Sequence, residues 1–308
     1  MKEKGKFMKK TYILYNPVSG NNIGKEGTDK LCELYSDKAF ELKNICEITD
    51  YREFFASISA EDDIILCGGD GTLNVFVNNT QGIEYDNDLL FYGMGTGNDF
   101  LRDIGKEKGA EPFSIKKYTV ALPTVTVNGK SYKFLNNVGF GIDGYCCEVG
   151  DKLRAENKKN INYTTIAIKG LLFSYRPTNA AVVVDGKEYS YKKVWIAPTM
   201  NGRYYGGGMM PTPEQDRLNK ERTVSLMLLY GSGKLKTLMA FPSLFKGEML
   251  AHTDMTKVHV GKEITVKFDR PAAIQIDGET ITGVTEYSVR SAACDTSGAR
   301  SSASACAD

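Results

Sequence analysis

No stretch of this sequence comes near the roughly 18 consecutive apolar residues that a membrane-spanning helix needs. The amino-terminal stretch is no substitute. Its basic head is followed only by Tyr12 to Tyr15 before turn residues intervene, which is too short for a signal-peptide core. Any membrane contact is therefore expected to be peripheral. The cysteines lack organisation. Cys32, Cys46, Cys67, Cys146, Cys147, Cys294 and Cys306 are odd in number and scattered, with no CxxC pair and no Cys/His ligand spacing. That argues against a disulfide framework or a zinc site, and for a reduced, cytoplasmic protein. An excess of one charge is missing too: 39 basic residues face 38 acidic ones, a formal net charge of +1. Nothing global draws the chain to nucleic acid, so no such partner is expected, and attraction to anionic lipid would need a local patch. Three nucleotide signatures are also absent: the Walker lysine pattern, the dinucleotide fingerprint and the protein-kinase set.

What is present is the composition of a folded protein, 42% hydrophobic and 25% charged over 308 residues, enough for two ordinary domains. Through the first hundred residues strands and helices alternate. Strands are predicted at Thr11 to Tyr15, Phe40 to Ile45, Asp63 to Cys67 and Leu89 to Tyr92, and helices near Glu26 to Leu31, Tyr51 to Ser59 and Leu73 to Asn79. This pattern predicts an α/β domain, a parallel sheet with helices on both faces. After Lys117 short strands dominate, from Thr124 to Val127 onward, with hairpin turns at Asn128-Gly129 and Asp185-Gly186 and one helical interruption at Tyr163 to Tyr175. The expected division is an α/β domain over 1–120, a β-rich domain over 121–291, and a Ser- and Ala-rich disordered tail over 292–308.

Two loops carry the chemistry. Gly68-Gly69-Asp70-Gly71-Thr72 leaves an apolar strand and enters a helix. Its glycines let backbone approach a ligand, its amides can donate to phosphate, and Asp70 can hold a Mg²⁺ ion carried by the phosphates. Gly93-Met94-Gly95-Thr96-Gly97-Asn98-Asp99 repeats the arrangement, with Asp99 as a further carboxylate and Arg102 placed to neutralise phosphoryl charge. The blander alternative is that Asn98 and Asp99 cap the following helix. Further on, Asp277-Gly278 reads as a hairpin turn presenting Glu279, a carboxylate able to accept a hydroxyl proton if the fold brings it within reach.

In order, Asn16-Pro17-Val18-Ser19-Gly20, Gly68 to Thr72, Gly95 to Phe100, Asn137 to Asp143, Asn201 to Met209 and Gln275 to Glu279 resemble the motifs of the diacylglycerol kinase catalytic-domain family, prokaryotic soluble lipid kinases in particular, over roughly Lys10 to Tyr287. The resemblance implies an α/β domain followed by a β-sandwich-like domain, with ATP and Mg²⁺ between them. It places Asn16, Pro17, Ser19 and Gly20 with Gly68, Gly69, Asp70, Gly71, Thr72, Gly95, Thr96, Asn98 and Asp99 around the nucleotide, and makes Glu279 the general base. It implies a lipid hydroxyl as acceptor, diacylglycerol first, and transient contact with the inner face of the membrane. A docking face is expected at Lys152, Arg154, Lys158 and Lys159 with the segment Ile166 to Arg176. A homodimer through exposed sheet edges stays open.

The sequence also departs from the family pattern. Where bacterial relatives carry an aspartate for a structural magnesium, this chain has Asn219 followed by Lys220, with Asp216 three residues earlier. Asp216 and Asn219 are thus the candidate ligands of a weakened second metal site. Asn21 stands where a lysine is common, with Lys25 as a stand-in, and Ala121 stands near an expected aspartate. These departures keep three alternatives open: a kinase of another lipid alcohol such as a sphingoid base, ceramide or polyprenol; a soluble-metabolite kinase of the NAD kinase type; and a non-catalytic nucleotide-binding regulator.

Overall fold

The computed structural model describes residues 9–17, 23–95, 98–158 and 161–292. The first unit runs β1 (Thr11–Tyr15), α1 (Ile23–Leu34), β2 (Phe40–Asn44), α2 (Tyr51–Ser57), β3 (Asp63–Gly68), α3 (Asp70–Asn79), β4 (Asp88–Gly93), α4 (Asp99–Asp103), β5 (Phe113–Ser114) and α5 (Lys116–Thr119). Its sheet has the order β2-β1-β3-β4-β5, parallel except for β5. The central strands are apolar throughout because both faces are covered. Ile13, Ile65 and Cys67 pack with Leu31 of α1 on one face. The alternate residues Leu14, Leu66 and Phe91 pack with Phe54 of α2 and Leu73 and Phe76 of α3 on the other. In-register pairing of Gly68 with Gly93 brings the ends of β3 and β4 side by side, so the two glycine loops that follow are neighbours.

The second unit comprises β6 (Thr124–Val127), β7 (Lys130–Lys133), β8 (Asn137–Gly141), α6 (Ile142–Ala155), α7 (Tyr163–Lys169), β9 (Thr178–Val184), β10 (Lys187–Val194), β11 (Ile196–Met200), β12 (Val224–Leu229), α8 (Lys234–Ala240), α9 (Ser243–Lys246), β13 (Thr256–Gly261), β14 (Glu263–Ile276) and β15 (Glu279–Arg290). Its strands pair antiparallel in the order β13-β12-β11-β8-β14-β15-β6-β7, with β9 and β10 branching from β14. β14 makes this sandwich-like. Ile264 to Phe268 pair with β9, the register shifts after Lys267, and Ile274 to Ile276 pair with β8. Val182, Val266, Phe140 and Leu226 meet in the apolar interior so enclosed. The turns Asn128-Gly129, Asp185-Gly186 and Asp277-Gly278 all have positive φ at both residues, as two-residue hairpin loops require.

The structure differs from the expected elements in instructive places. Where short separate strands were expected, Ile264 to Phe268 and Ala273 to Ile276 belong to one bent strand, β14. The helix expected over Tyr163 to Tyr175 is α7 followed by a π-helical turn, Gly170–Ser174. α6 has no sequence prediction behind it, since Gly144 and Gly150 weaken its helix propensity. Those glycines are what seat it: a Cβ on Gly144 would lie 1.9 Å from the Ala273 carbonyl oxygen of β14.

Candidate active site

The two glycine loops touch backbone to backbone. Met94 N–H donates to Gly68 O at 2.7 Å, and a Cβ built on Gly69 would stand 2.8 Å from the Gly95 Cα. No larger residue fits either position without parting the loops. Asp70 opens α3 and reaches across, its Oδ2 accepting from Asp99 N at 2.8 Å and from Asn136 Nδ2 at 3.2 Å. Asp99 reaches to a third loop, where its Oδ2 accepts from Gly207 N at 2.8 Å. Asn98 is left-handed and its side chain donates to Gly95 O, so neither residue caps α4 in the way the simpler reading supposed.

Burial raises the Asp70 carboxyl to about 6 and the Asp99 carboxyl to about 7, in each case abetted by a neighbouring carboxylate and opposed by the N–H groups it accepts. Asp70 Oδ1 and Asp99 Oδ1 are buried and have no hydrogen-bond partner among the described residues. Two such oxygens beside phosphate-type loops fit a divalent cation that brings its remaining ligands with it, as Mg²⁺ on a nucleotide does. Among the described residues no group of three or more His, Cys, Asp or Glu side chains could hold a metal alone.

Sequence reasoning passed over Asp277 in favour of its neighbour. Its buried carboxylate accepts from Leu135 N at 2.5 Å, Asn136 N at 2.8 Å, Asn137 N at 3.0 Å and Asn74 Nδ2 at 2.9 Å. It thereby ties the entry of β8 to α3 across the two units, while Glu279, exposed just past the turn, borders the site. The Asp-Gly pair announced a turn and masked this second role. Asp143 and Tyr205 form another unforeseen pair, the tyrosine hydroxyl donating to Asp143 Oδ2 at 3.0 Å.

One cavity of about 740 Å³ gathers these groups. Asn16, Gly69, Asp70, Gly71, Thr72, Gly95, Asn98 and Asp99 line it from the first unit. From the second come Glu279, Asp143, Gly206 and Gly207, with an apolar wall of Ile142, Cys146, Ile161, Ala167, Phe241 and Phe245. Gly68 and Pro17 are not among the residues that line it. Arg102 packs over Tyr204, with its Nη1 4.0 Å from Asp99 Oδ1. Ser19, Gly20, Thr96, Lys159 and the tail from 293 lie outside the described residues. Asp216 and Asn219 are not part of this cavity: Asp216 is exposed, and Asn219 is engaged by its own loop. The expected basic docking cluster is largely neutralised, since Lys152 pairs with Glu148, Arg154 with Asp151 and Lys158 with Glu156.

A parallel sheet whose paired loops present carboxylates and amides, closed by a bent antiparallel sheet that adds Glu279, has the architecture of a diacylglycerol kinase-like kinase. The chain belongs to the diacylglycerol kinase catalytic-domain family. The family model of that catalytic domain matches residues 10–122, and the model of the YegS C-terminal NAD kinase beta sandwich-like domain matches residues 136–292. The chain is 24% identical over 282 residues to a diacylglycerol kinase of Mycobacterium tuberculosis, covering 88% of each. To a diacylglycerol kinase of Bacillus subtilis it is also 24% identical over 282 residues, 88% of this chain and 90% of the relative. The crystal structure of a diacylglycerol kinase from Bacillus anthracis str. Sterne shares the fold, with a TM-score of 0.61 at 22% identity over 93% of this chain and 95% of that one. Among the described residues no helix is long and apolar enough to cross a membrane.

Proposed function

We propose that this protein transfers the γ-phosphoryl group of ATP to the hydroxyl of a membrane lipid, with diacylglycerol as acceptor and phosphatidic acid as product. The observation that carries the reading is the make-up of this cavity: phosphate-type loops and an apolar wall of helices α6 and α7 and residues 241–245 border the same space. A soluble nucleotide acceptor would call for a polar second wall, so this lining favours the lipid over the NAD kinase type of acceptor.

The nucleotide unit, 1–120, cradles the phosphates with Gly69, Gly71, Thr72 and Gly95, alongside Asn16 and Asn98. Asp70 and Asp99 would hold the Mg²⁺, which when bound neutralises phosphate charge. Arg102 offers a further cation to the developing charge. The acceptor unit, 121–291, seats the acyl chains and supplies Glu279. As the lipid oxygen forms its bond to the γ-phosphorus, the bond to the β-phosphate bridging oxygen breaks, ADP leaves, and the hydroxyl proton passes to the Glu279 carboxylate. The apolar surface around α8 and the π-helical turn would rest on the bilayer.

The test is Mg²⁺-dependent transfer from labelled ATP to diacylglycerol, sphingoid base, ceramide and polyprenol in mixed micelles, beside the Glu279→Ala variant. Diacylglycerol-dependent product that falls by about 10² or more in the variant is expected. Product that survives removes the base role from Glu279, and nucleotide binding without any lipid product removes the lipid-kinase reading.

A further inference from the structure

Arg217 is an arginine buried in the seam between the two units, with its side chain 4% exposed. Its Nε donates to Asp103 Oδ2 of α4, its Nη2 to Asn136 Oδ1 at 3.0 Å and its Nη1 to Leu135 O at 3.4 Å, and the guanidinium lies 4.8 Å from the centre of the Phe100 ring. The seat is built for it: a Cβ on Gly202 would fall 2.2 Å from Nη2. A guanidinium has donors only, so the buried Asn136 amide must turn its oxygen to Arg217 and its NH₂ to Asp70 Oδ2. This leaves Asp70 Oδ1 as the oxygen of that carboxylate with no hydrogen-bond partner among the described residues.

The resemblance implies a structural cation near Asn219, and the residues present do not fit one. Asn219 Nδ2 donates to Asp216 O at 2.7 Å and Thr223 O at 2.9 Å, while its Oδ1 accepts from Thr223 N at 2.9 Å. The gap beside it, bordered by Ala121, Asn201, Arg217 and Arg222, has no room for a water-sized sphere. Two arginines facing that gap oppose a metal ion further.

We propose that Arg217 is a positioning residue whose fixed guanidinium does the work of a bridging divalent cation, tying α4 to the entry of β8 and, through Asn136, aiming Asp70 at the nucleotide-borne metal. The inference rests on the kinase reading only in giving Asp70 a metal to hold, and its test needs no acceptor. In the full chain, calorimetry compares binding of a non-hydrolysable ATP analogue with Mn²⁺ and in EDTA, for the wild type, Arg217→Met and Asn136→Leu. The wild type should gain tenfold or more in affinity from Mn²⁺. Both variants should lose most of that gain while binding the metal-free analogue within about threefold of wild type, whereas a merely structural role would weaken both forms alike. Asn136→Leu leaves the Arg217–Asp103 ion pair in place and carries the test if Arg217→Met does not fold. The nucleotide-free wild type should melt at the same temperature in EDTA as in Mg²⁺. A melting temperature that drops on chelation would reveal a structural cation and overturn the proposal, as would folded variants that keep the Mn²⁺ gain. The expected pattern in a protein that phosphorylates no lipid upholds Arg217 and removes the lipid reading alone.

Discussion

Asp143 is buried, and the loss of solvent raises its carboxyl to about 7 despite the hydrogen bond from Tyr205. Between its ordinary value of 3.8 and about 7 the folded protein holds a proton that the unfolded chain has released, so this group lowers stability as pH rises through that window. Asn in its place keeps an acceptor for Tyr205 and cannot ionise. Asp143→Asn should therefore match the wild type in urea at pH 4 and exceed it at pH 8 by on the order of 1 to 4 kcal/mol. Asp70 and Asp99 add slopes of the same sign to both proteins and cancel in the comparison. Parallel stability curves across that range would refute the assignment. Burial raises the Asp277 carboxyl as well, but three backbone N–H groups and Asn74 meet its charge and oppose that shift. Asp277→Ala leaves these donors facing a void and should cost about 3 kcal/mol or more, read from the urea midpoint, whereas removing the exposed Glu279 should leave the midpoint nearly unchanged.

At the scale of elements, the strand-to-helix loop beginning at Gly68 makes two demands that a single substitution separates. A Cβ at Gly71 meets nothing within 4 Å, yet Gly71 borders the cavity and sits in the first turn of α3. Gly71→Ala should hold or raise the melting temperature, since alanine favours the helix by up to about 1 kcal/mol, while weakening nucleotide binding tenfold or more by filling the phosphate cradle. Affinity equal to wild type would mean that the phosphates lie elsewhere. The place of this loop was legible in the sequence because a glycine run with an acidic residue inside it separates an apolar strand from a helix, and the alternation of strand and helix foretold the first sheet for the same local reason. The second unit was less legible. Its bent strand β14 owes its two partnerships to strands β8 and β9, far away in sequence, and α6 hides behind glycines that contact β14 and Tyr163. Asn136 and Arg217 stand in segments with no local signal, Asp143 closes a motif that says nothing of its tyrosine partner, and the roles of all three exist only where distant segments converge.

On the whole molecule, charge and apolar surface coincide on one side of the cavity. Phe173 is 76% exposed, and Leu235 and Met239, one turn apart on α8, are each 67% exposed. The π-helical turn and α8 are joined by Lys234 Nζ donating to Leu172 O at 2.9 Å, and both rest on the core that includes Phe241 of the cavity wall. Residues 161–176 and 231–247 contain Lys169, Arg176, Lys234, Lys236 and Lys246 and no acidic residue, although Lys236 pairs with Asp254 from outside them. The Lys152 to Lys158 cluster, by contrast, is balanced by its own carboxylates. Large apolar side chains in a basic surround beside a lipid-sized cavity suit the interface of an anionic bilayer, where each inserted side chain adds on the order of 1 kcal/mol. Replacing Phe173, Leu235 and Met239 together by Ser should lower partition onto vesicles containing phosphatidylglycerol by about 10². The same variant should keep its turnover of a short-chain diacylglycerol dissolved as monomer, because none of the three residues lines the cavity. Unchanged vesicle binding would move the docking face elsewhere, and loss of turnover on the dissolved acceptor would show that these side chains shape the cavity rather than the membrane contact.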